Sequence, residues 1–333
     1  MSDDTGIEWT DATWNPIRGC SRVSEGCRHC YAERVAARFS GPGQPYEGLA
    51  VRKLRVVSDD EQTTVGRWTG AVRMVPEHLA DPLRWRRPRR VFVNSMSDLF
   101  HESLTNEQIA AVFGVMAAAP RHTFQVLTKR SARMREWFAW VADHGARGAR
   151  SACRASAALY LVASPEVPGG DEWPLRNVWL GVSAENQAAA DERIPDLLAT
   201  PAAVRWISAE PLIGPVDLRA WTSREHGLSL IGAPRGLAWV VSGCESGPGA
   251  RPCDVAWLRS LRDQCAAAGV AFFFKQAVSS DRGIHCDDQH HDHDDGCPTC
   301  QAITAGPGSK RKAGGLIGLP YLDGVQHAEM PKE

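Results

Sequence analysis

Short β-prone runs recur along this chain, and each ends in a cluster of small and polar residues. They fall at residues 90–94, 123–127, 177–182, 204–207, 237–241 and 270–274, and an earlier run at 12–17 leads into the first cysteine. Most are separated by about 25–35 residues, enough for a helical crossover, and strands so spaced pair in parallel. Residues 106–119 and 255–268 carry amphipathic periodicity, and Thr105 and Asp254 stand where N-caps belong. The pattern predicts an α/β fold, a partial or complete (β/α) barrel with inserted loops. In such a fold the chemistry sits at the C-terminal ends of the strands. Six clusters fall at those ends: Asn94-Ser95-Met96-Ser97-Asp98, Thr128-Lys129-Arg130, Ser183-Ala184-Glu185-Asn186, Ser208-Ala209-Glu210-Pro211, Ser242-Gly243-Cys244-Glu245-Ser246 and Lys275-Gln276. So many carboxylates, hydroxyls and lysines at one end favour a shared active-site mouth over solvated loops.

The barrel is expected to span residues 1–277, with insertions near 32–89, 144–172 and 222–235. Of these, 144–172 is expected to decorate the rim. Residues 278–312 form a Cys/His-rich segment, flexible or zinc-binding, and 313–333 a C-terminal tail packing on the barrel. The 333 residues are 43% hydrophobic, which permits a sizeable core. Lys and Arg total 38 against 39 for Asp and Glu, so the chain does not coat nucleic acid by net charge. No apolar run reaches the roughly 18 residues of a membrane span. The acidic, polar N-terminus is unlike a secretory signal, which predicts a cytoplasmic protein. Ten cysteines in that compartment point to metal or redox chemistry rather than disulfides.

Three of them, Cys20, Cys27 and Cys30, stand in a C-x6-C-x2-C pattern between Gly19 and Tyr31. A loop that bends at Gly19 and Gly26 can wrap three thiolates around one metal centre. Three ligands on a four-iron cluster leave one iron open to a small molecule. Zinc held by these cysteines and a distant histidine is the structural rival.

The Gly-Cys…Gly-Cys-x-x-Cys-Tyr-Ala loop resembles the cluster loop of radical S-adenosylmethionine (SAM) enzymes, and in particular that of spore photoproduct lyase-like members. Over most of residues 7–276 the chain resembles a phage-type three-cysteine radical SAM-like family. The matching stretches are IEWTDATWNPIRGC, CRHCYAER, FVNSMSDLFHE, TFQVLTKR, VWLGVSAEN, RWISAEPLIGP, CESGPGARP and FFFKQ. Two departures stand out: the commonest spacing there is C-x3-C-x2-C, and the usual Gly-Gly-Glu after the second strand is absent. The resemblance implies a [4Fe–4S] cluster on Cys20, Cys27 and Cys30, reductive cleavage of SAM, and a 5′-deoxyadenosyl radical that modifies a substrate. It implies an external electron donor such as flavodoxin or ferredoxin.

Strand position then assigns cofactor-binding candidates: His29 near adenine, Ser95, Ser97 and Asp98 after the second strand, Ser183, Glu185 and Asn186 after the fourth, and Ser208 and Glu210 after the fifth. Lys129, Lys275 and Cys244 are catalytic candidates. Each lysine can instead form a salt bridge to Glu185, Glu210 or Glu245, and Cys244 can be a small buried residue. Cys286, His291, Cys297 and Cys300 form a candidate structural zinc site, against an unmetallated loop or an auxiliary cluster. The basic run Arg84-Trp85-Arg86-Arg87-Pro88-Arg89-Arg90 is either a solvated helix end or a phosphate contact. The phage association favours a nucleobase or nucleotide in DNA as substrate. A peptide or small metabolite is the second option, and a non-catalytic zinc-stabilised nucleic-acid-binding protein the third.

Overall fold

The computed structural model describes residues 5, 7–58, 61–161, 172–222, 236–246, 250–276, 303–304, 310–312, 315–317 and 321–331. Among the described residues eleven strands precede residue 277: β1 (Ala12–Trp14), β2 (Ile17–Arg18), β3 (Ala50–Ser58), β4 (Glu61–Trp68), β5 (Arg73–Met74), β6 (Arg90–Val93), β7 (Thr123–Thr128), β8 (Val178–Ser183), β9 (Val204–Ala209), β10 (Trp239–Gly243) and β11 (Ala271–Gln276). Among the described residues nine helices accompany them: α1 (Tyr31–Arg38), α2 (Pro76–Leu79), α3 (Asp81–Arg84), α4 (Asn106–Ala118), α5 (Ser131–Ala142), α6 (Gly145–Ala158), α7 (Gln187–Ala199), α8 (Arg219–Thr222) and α9 (Val255–Ala268). All seven strands expected from the sequence form, in the sheet order β1-β6-β7-β8-β9-β10-β11. The pairs β1–β6, β6–β7, β9–β10 and β10–β11 are parallel. This mixed α/β arrangement is compatible with a partial (β/α) barrel.

The chain divides into two compact units, Met1–Thr5 with Thr10–Trp179, and Gly6–Trp9 with Leu180–Glu333, so that β8 ends one and begins the other. In the first unit the capping box at Thr105 starts α4: Gln108 N–H donates to the Thr105 hydroxyl, and the Gln108 side chain accepts from Thr105 N–H. Helix α4 is buried along nearly its whole length because α6 packs on it, burying Ala149, Cys153 and Ala157. Within the expected insertion 144–172, α6 thus packs against α4, its Ala and Gly content suiting close helix–helix contact, and residues 162–171 lie outside the described residues. The long segment before β6 holds α1 and the antiparallel hairpin β3–β4, which the sequence reading left open.

In the second unit, Trp206 and Trp239 are fully buried, with centroids 5.1 Å apart, and Trp9 meets both edge-on at 5.3 and 5.6 Å. Helix α9 begins at Asp254, whose carboxylate accepts from Ala256 N–H, and ends at Gly269 in the left-handed region. The C-terminal tail lies against β11: Phe274 N–H donates to His327 O and Glu329 N–H to Phe272 O, at 2.9 and 3.2 Å. It thus covers a sheet edge. Among the described residues, no helix is long and apolar enough to cross a membrane.

Gly181 in β8 lies flat against the Trp206 indole, and a Cβ there would overlap the ring. Gly181→Ala is therefore expected to lower stability by about 1–3 kcal/mol through overpacking. A denaturation midpoint equal to that of the unchanged protein would refute that contact.

Candidate functional site

Strand β1 ends at Trp14, and β2 carries the chain to Gly19. Gly19 adopts φ +92° and bridges in parallel to Ser97. A Cβ at this position would overlap the Ala71 carbonyl oxygen, so only glycine turns the chain here into Cys20. A short 3-10 turn (Glu25–Cys27) follows, and Cys30 stands at the N-cap of α1. All three cysteines are free thiols, half-buried. The loop is thus held at the C-terminal end of the first parallel strand, as the sequence predicts.

Two buried ion-pair networks pin the loop. Arg22 pairs with Glu33, which is 2% exposed and also accepts from Trp68 N–H at 2.8 Å and Arg67 at 3.5 Å. On the other side Arg130, 4% exposed at its side chain, reaches from the end of β7. Its Nη2 donates to Ser21 O at 3.1 Å and Ser21 Oγ at 2.8 Å, and its Nη1 to Asp98 Oδ2 at 3.1 Å. The same Nη1 lies 3.8 Å from Cys20 Sγ, and Nε donates to both oxygens of Glu102 at 2.9 Å. Asp98 in turn accepts from Thr128 Oγ1 (2.7 Å), Phe100 N–H (3.0 Å) and Lys129 N–H (3.1 Å). His101 Nε2 hydrogen-bonds Ser21 Oγ at 2.9 Å.

Burial pushes the Cys20 thiol up to about 12, helped by the Asp98 carboxylate and opposed by Arg130. Burial raises the Cys30 thiol as well, against the N–H groups of Glu33 and Ala32 and the charge of Lys129, which favour thiolate. Cys30 feels both Cys20 and Cys27 electrostatically. Even so, among the described residues no three His, Cys, Asp or Glu side chains are gathered as a metal ion would need. The chemistry of the donors suits a thiolate-ligated group: three thiols in one loop, with Arg130 and N–H groups ready to balance thiolate charge.

The DUF5131 family model, described as protein of unknown function, matches residues 4–331, nearly the whole chain. The chain belongs to the DUF5131 family. No curated protein and no solved structure matches it.

In the first unit of this DUF5131 chain, the end of β6 is tied to the base of the cysteine loop. Ser95 Oγ and Met96 N–H donate to Asn15 Oδ1, Ser97 Oγ to Ile17 O, and Tyr31 OH to Ser95 O, all at 2.7–3.2 Å. Ser95, Ser97 and Asp98 thereby hold the loop in place. Asn94 ends β6 at φ +60°, 4% exposed, with neither side-chain polar atom hydrogen-bonded. His29 lies half-buried within the cysteine loop, and Lys129 half-buried one residue before Arg130.

The strand ends of the second unit carry their own neutralising partners. Glu185 pairs with Arg193 at 2.8 Å, both buried, and Arg193 also donates to Ser183 O. Asn186 caps α7, accepting from Ala189 N–H at 2.9 Å. Ser208 is buried, and its carbonyl accepts from Ala184 N–H. Glu210 accepts from Lys275 Nζ at 2.7 and 2.8 Å and from Gln276 Nε2 at 2.9 Å. Glu245 is held by Arg251 at 2.7 Å. Cys244 is fully buried, and its hydrogen bond with Cys253, ahead of burial, pushes the Cys253 thiol up. A cleft of about 860 Å³, lined by Gln187, Asp217, Arg219 and Gln264 among others, contains none of the residues singled out from the sequence. Cys286, His291, Cys297 and Cys300 lie outside the described residues.

Arg130, Glu33, Arg22, Arg193 and Arg251 escaped the sequence reading as site residues. Arg130 sits inside the Thr128-Lys129-Arg130 cluster, so its position was visible, but its choice of partners was not. Removing one member of a buried ion pair strands the other. Arg130→Met is accordingly expected to cost about 3–5 kcal/mol in chemical denaturation, and a cost below about 1 kcal/mol would contradict the network.

Proposed function

We propose that this DUF5131 chain is a radical SAM enzyme. Cys20, Cys27 and Cys30 hold a [4Fe–4S] cluster whose fourth iron is open to SAM, and the substrate is a nucleobase or nucleotide in DNA. The observation that carries this reading is the position of the C-x6-C-x2-C loop. It follows the first strand of a parallel sheet, and buried Arg130 and Glu33 fix its two flanks. When bound, the cluster supplies the electron that cleaves the sulfonium bond of SAM.

The chain's own residues have defined tasks in this reading. The three cysteines bind as thiolates, so loading releases their protons to solvent. Arg130 offsets part of the thiolate charge at Cys20 through its Nη1 and fixes the loop by holding Ser21. Gly19 gives the backbone its turn. The bonds from Ser95, Met96 and Ser97 keep the end of β6 at the base of the loop. Lys129, close enough to Cys30 to favour its thiolate, supports a carboxylate such as that of SAM. In the second unit, Lys275 and Gln276 can orient a substrate only by giving up Glu210, and Cys244 can donate hydrogen only if its buried pairing with Cys253 opens.

The test is anaerobic reconstitution with iron and sulfide, then reduction with dithionite in the presence of SAM. About four irons per chain are expected, with 5′-deoxyadenosine appearing in the mass spectrum. Cys27→Ala is expected to lose the iron and to bring cleavage down to the rate without protein. Tight zinc with no iron absorption band, or an intact cluster that leaves SAM whole, would overturn the proposal. Turnover of a peptide or metabolite with none on DNA would move the substrate and keep the chemistry.

A further inference from the structure

The basic run before β6 is left unused by the cysteine site, and its geometry is unusual. Arg84, Arg86, Arg87, Arg89 and Arg90 lie within seven residues, and Arg121 stands beside them. Asp81 takes Arg84 at 3.5 Å, and Asp11 takes Arg90 at 3.1 Å and also feels the charge of Arg89. Arg86 and Arg87 are exposed, and among the described residues nothing pairs with either. Arg89 lies over the Trp85 ring at 5.3 Å, with the ring edge-on to buried His122.

Hydrogen bonds hold the backbone that leads into these charges. Arg121 donates through Nε to Trp85 O at 2.9 Å, and through Nη2 to Leu83 O and Pro82 O at 2.9 and 3.2 Å. Buried His122 hydrogen-bonds Pro82 O at 3.0 Å. A guanidinium has thus been spent on holding the backbone of a segment whose own guanidiniums repel one another. Arg86 and Arg87 follow this held backbone and are exposed. Planar guanidinium forks suit phosphate oxygens, and a preorganised loop loses little entropy on binding.

The position along β6 narrows the class of ligand. The arginines precede β6, and the candidate site lies beyond its other end. Four residues at about 3.3 Å each separate them by at least about 13 Å. A mononucleotide does not cover that span, whereas a polymer does.

We propose that the 84–90 loop is a sequence-independent anchor for the phosphodiester backbone of DNA, with Arg86 and Arg87 contacting phosphates. The inference deepens the DNA-directed reading above and rests on it for what bound DNA is used for. The binding itself is measured separately.

The experiment is fluorescence anisotropy of the full-length chain with a labelled DNA duplex of about 30 base pairs across a salt series. Arg86→Gln/Arg87→Gln should weaken binding roughly tenfold near 0.1 M salt and reduce the slope of log K against log salt by about one per arginine. Its melting temperature should stay unchanged, because among the described residues neither side chain has a partner to lose. Unlabelled polyglutamate should not displace DNA. The anchor is overturned if the full-length chain does not bind DNA, if the double variant keeps the same slope, if polyglutamate competes equally, or if RNA of the same length binds more tightly. SAM cleavage without DNA, measured on the same variant after reconstitution, should be unaffected. Failure of the anchor with cleavage intact leaves the radical SAM reading standing, and loss of cleavage with DNA binding intact removes that reading alone.

Discussion

Arg130 is the joint on which the first unit's site depends. One buried guanidinium meets the cysteine loop at Ser21 and Cys20, the β6 loop at Asp98, and the surface carboxylate Glu102. Asp98 passes the constraint on to Thr128 and to the N–H groups of Phe100 and Lys129. The ends of three adjacent parallel strands are thereby locked through charge-assisted bonds rather than apolar contact. Such a network is poor value as pure stabilisation, since apolar packing serves as well at lower desolvation cost. Its worth lies in geometry. It fixes where the first thiol sits and places one guanidinium beside it.

The second unit is built on a different economy. Its core is a tryptophan cluster, and its strand-end carboxylates are neutralised one by one, Glu185 by Arg193, Glu210 by Lys275 and Glu245 by Arg251. Each pair is closed in this state. A ligand that engages Lys275 or Gln276 must first exchange with Glu210.

Much of the fold was legible in the chain. The strands after residue 89 announced themselves by their β-branched and aromatic runs, and α4 and α9 by caps at Thr105 and Asp254 whose side chains bond as expected. The cysteine loop was legible for a similar reason: Gly19 must turn, and the next residue is a thiol. The sequence hid whatever depends on partners distant along the chain. Helix α6 read as a rim insertion because its segment is rich in Ala, Gly and Arg, yet it packs through small residues against α4. Asn186 read as a ligand contact and proves to be a helix cap, since an N-cap and a binding asparagine share one composition. The choice of Asp98 by Arg130, 32 positions away, has no local signature at all.

The measurement that bears most directly on the central claim is the electron paramagnetic resonance spectrum of the reconstituted, dithionite-reduced protein, recorded with and without SAM. An iron left open by three cysteines should give a reduced-cluster signal whose g-values shift when SAM is added, with no signal in Cys27→Ala. A signal that ignores SAM, or none from fully iron-loaded protein, would contradict the assignment of Cys20, Cys27 and Cys30.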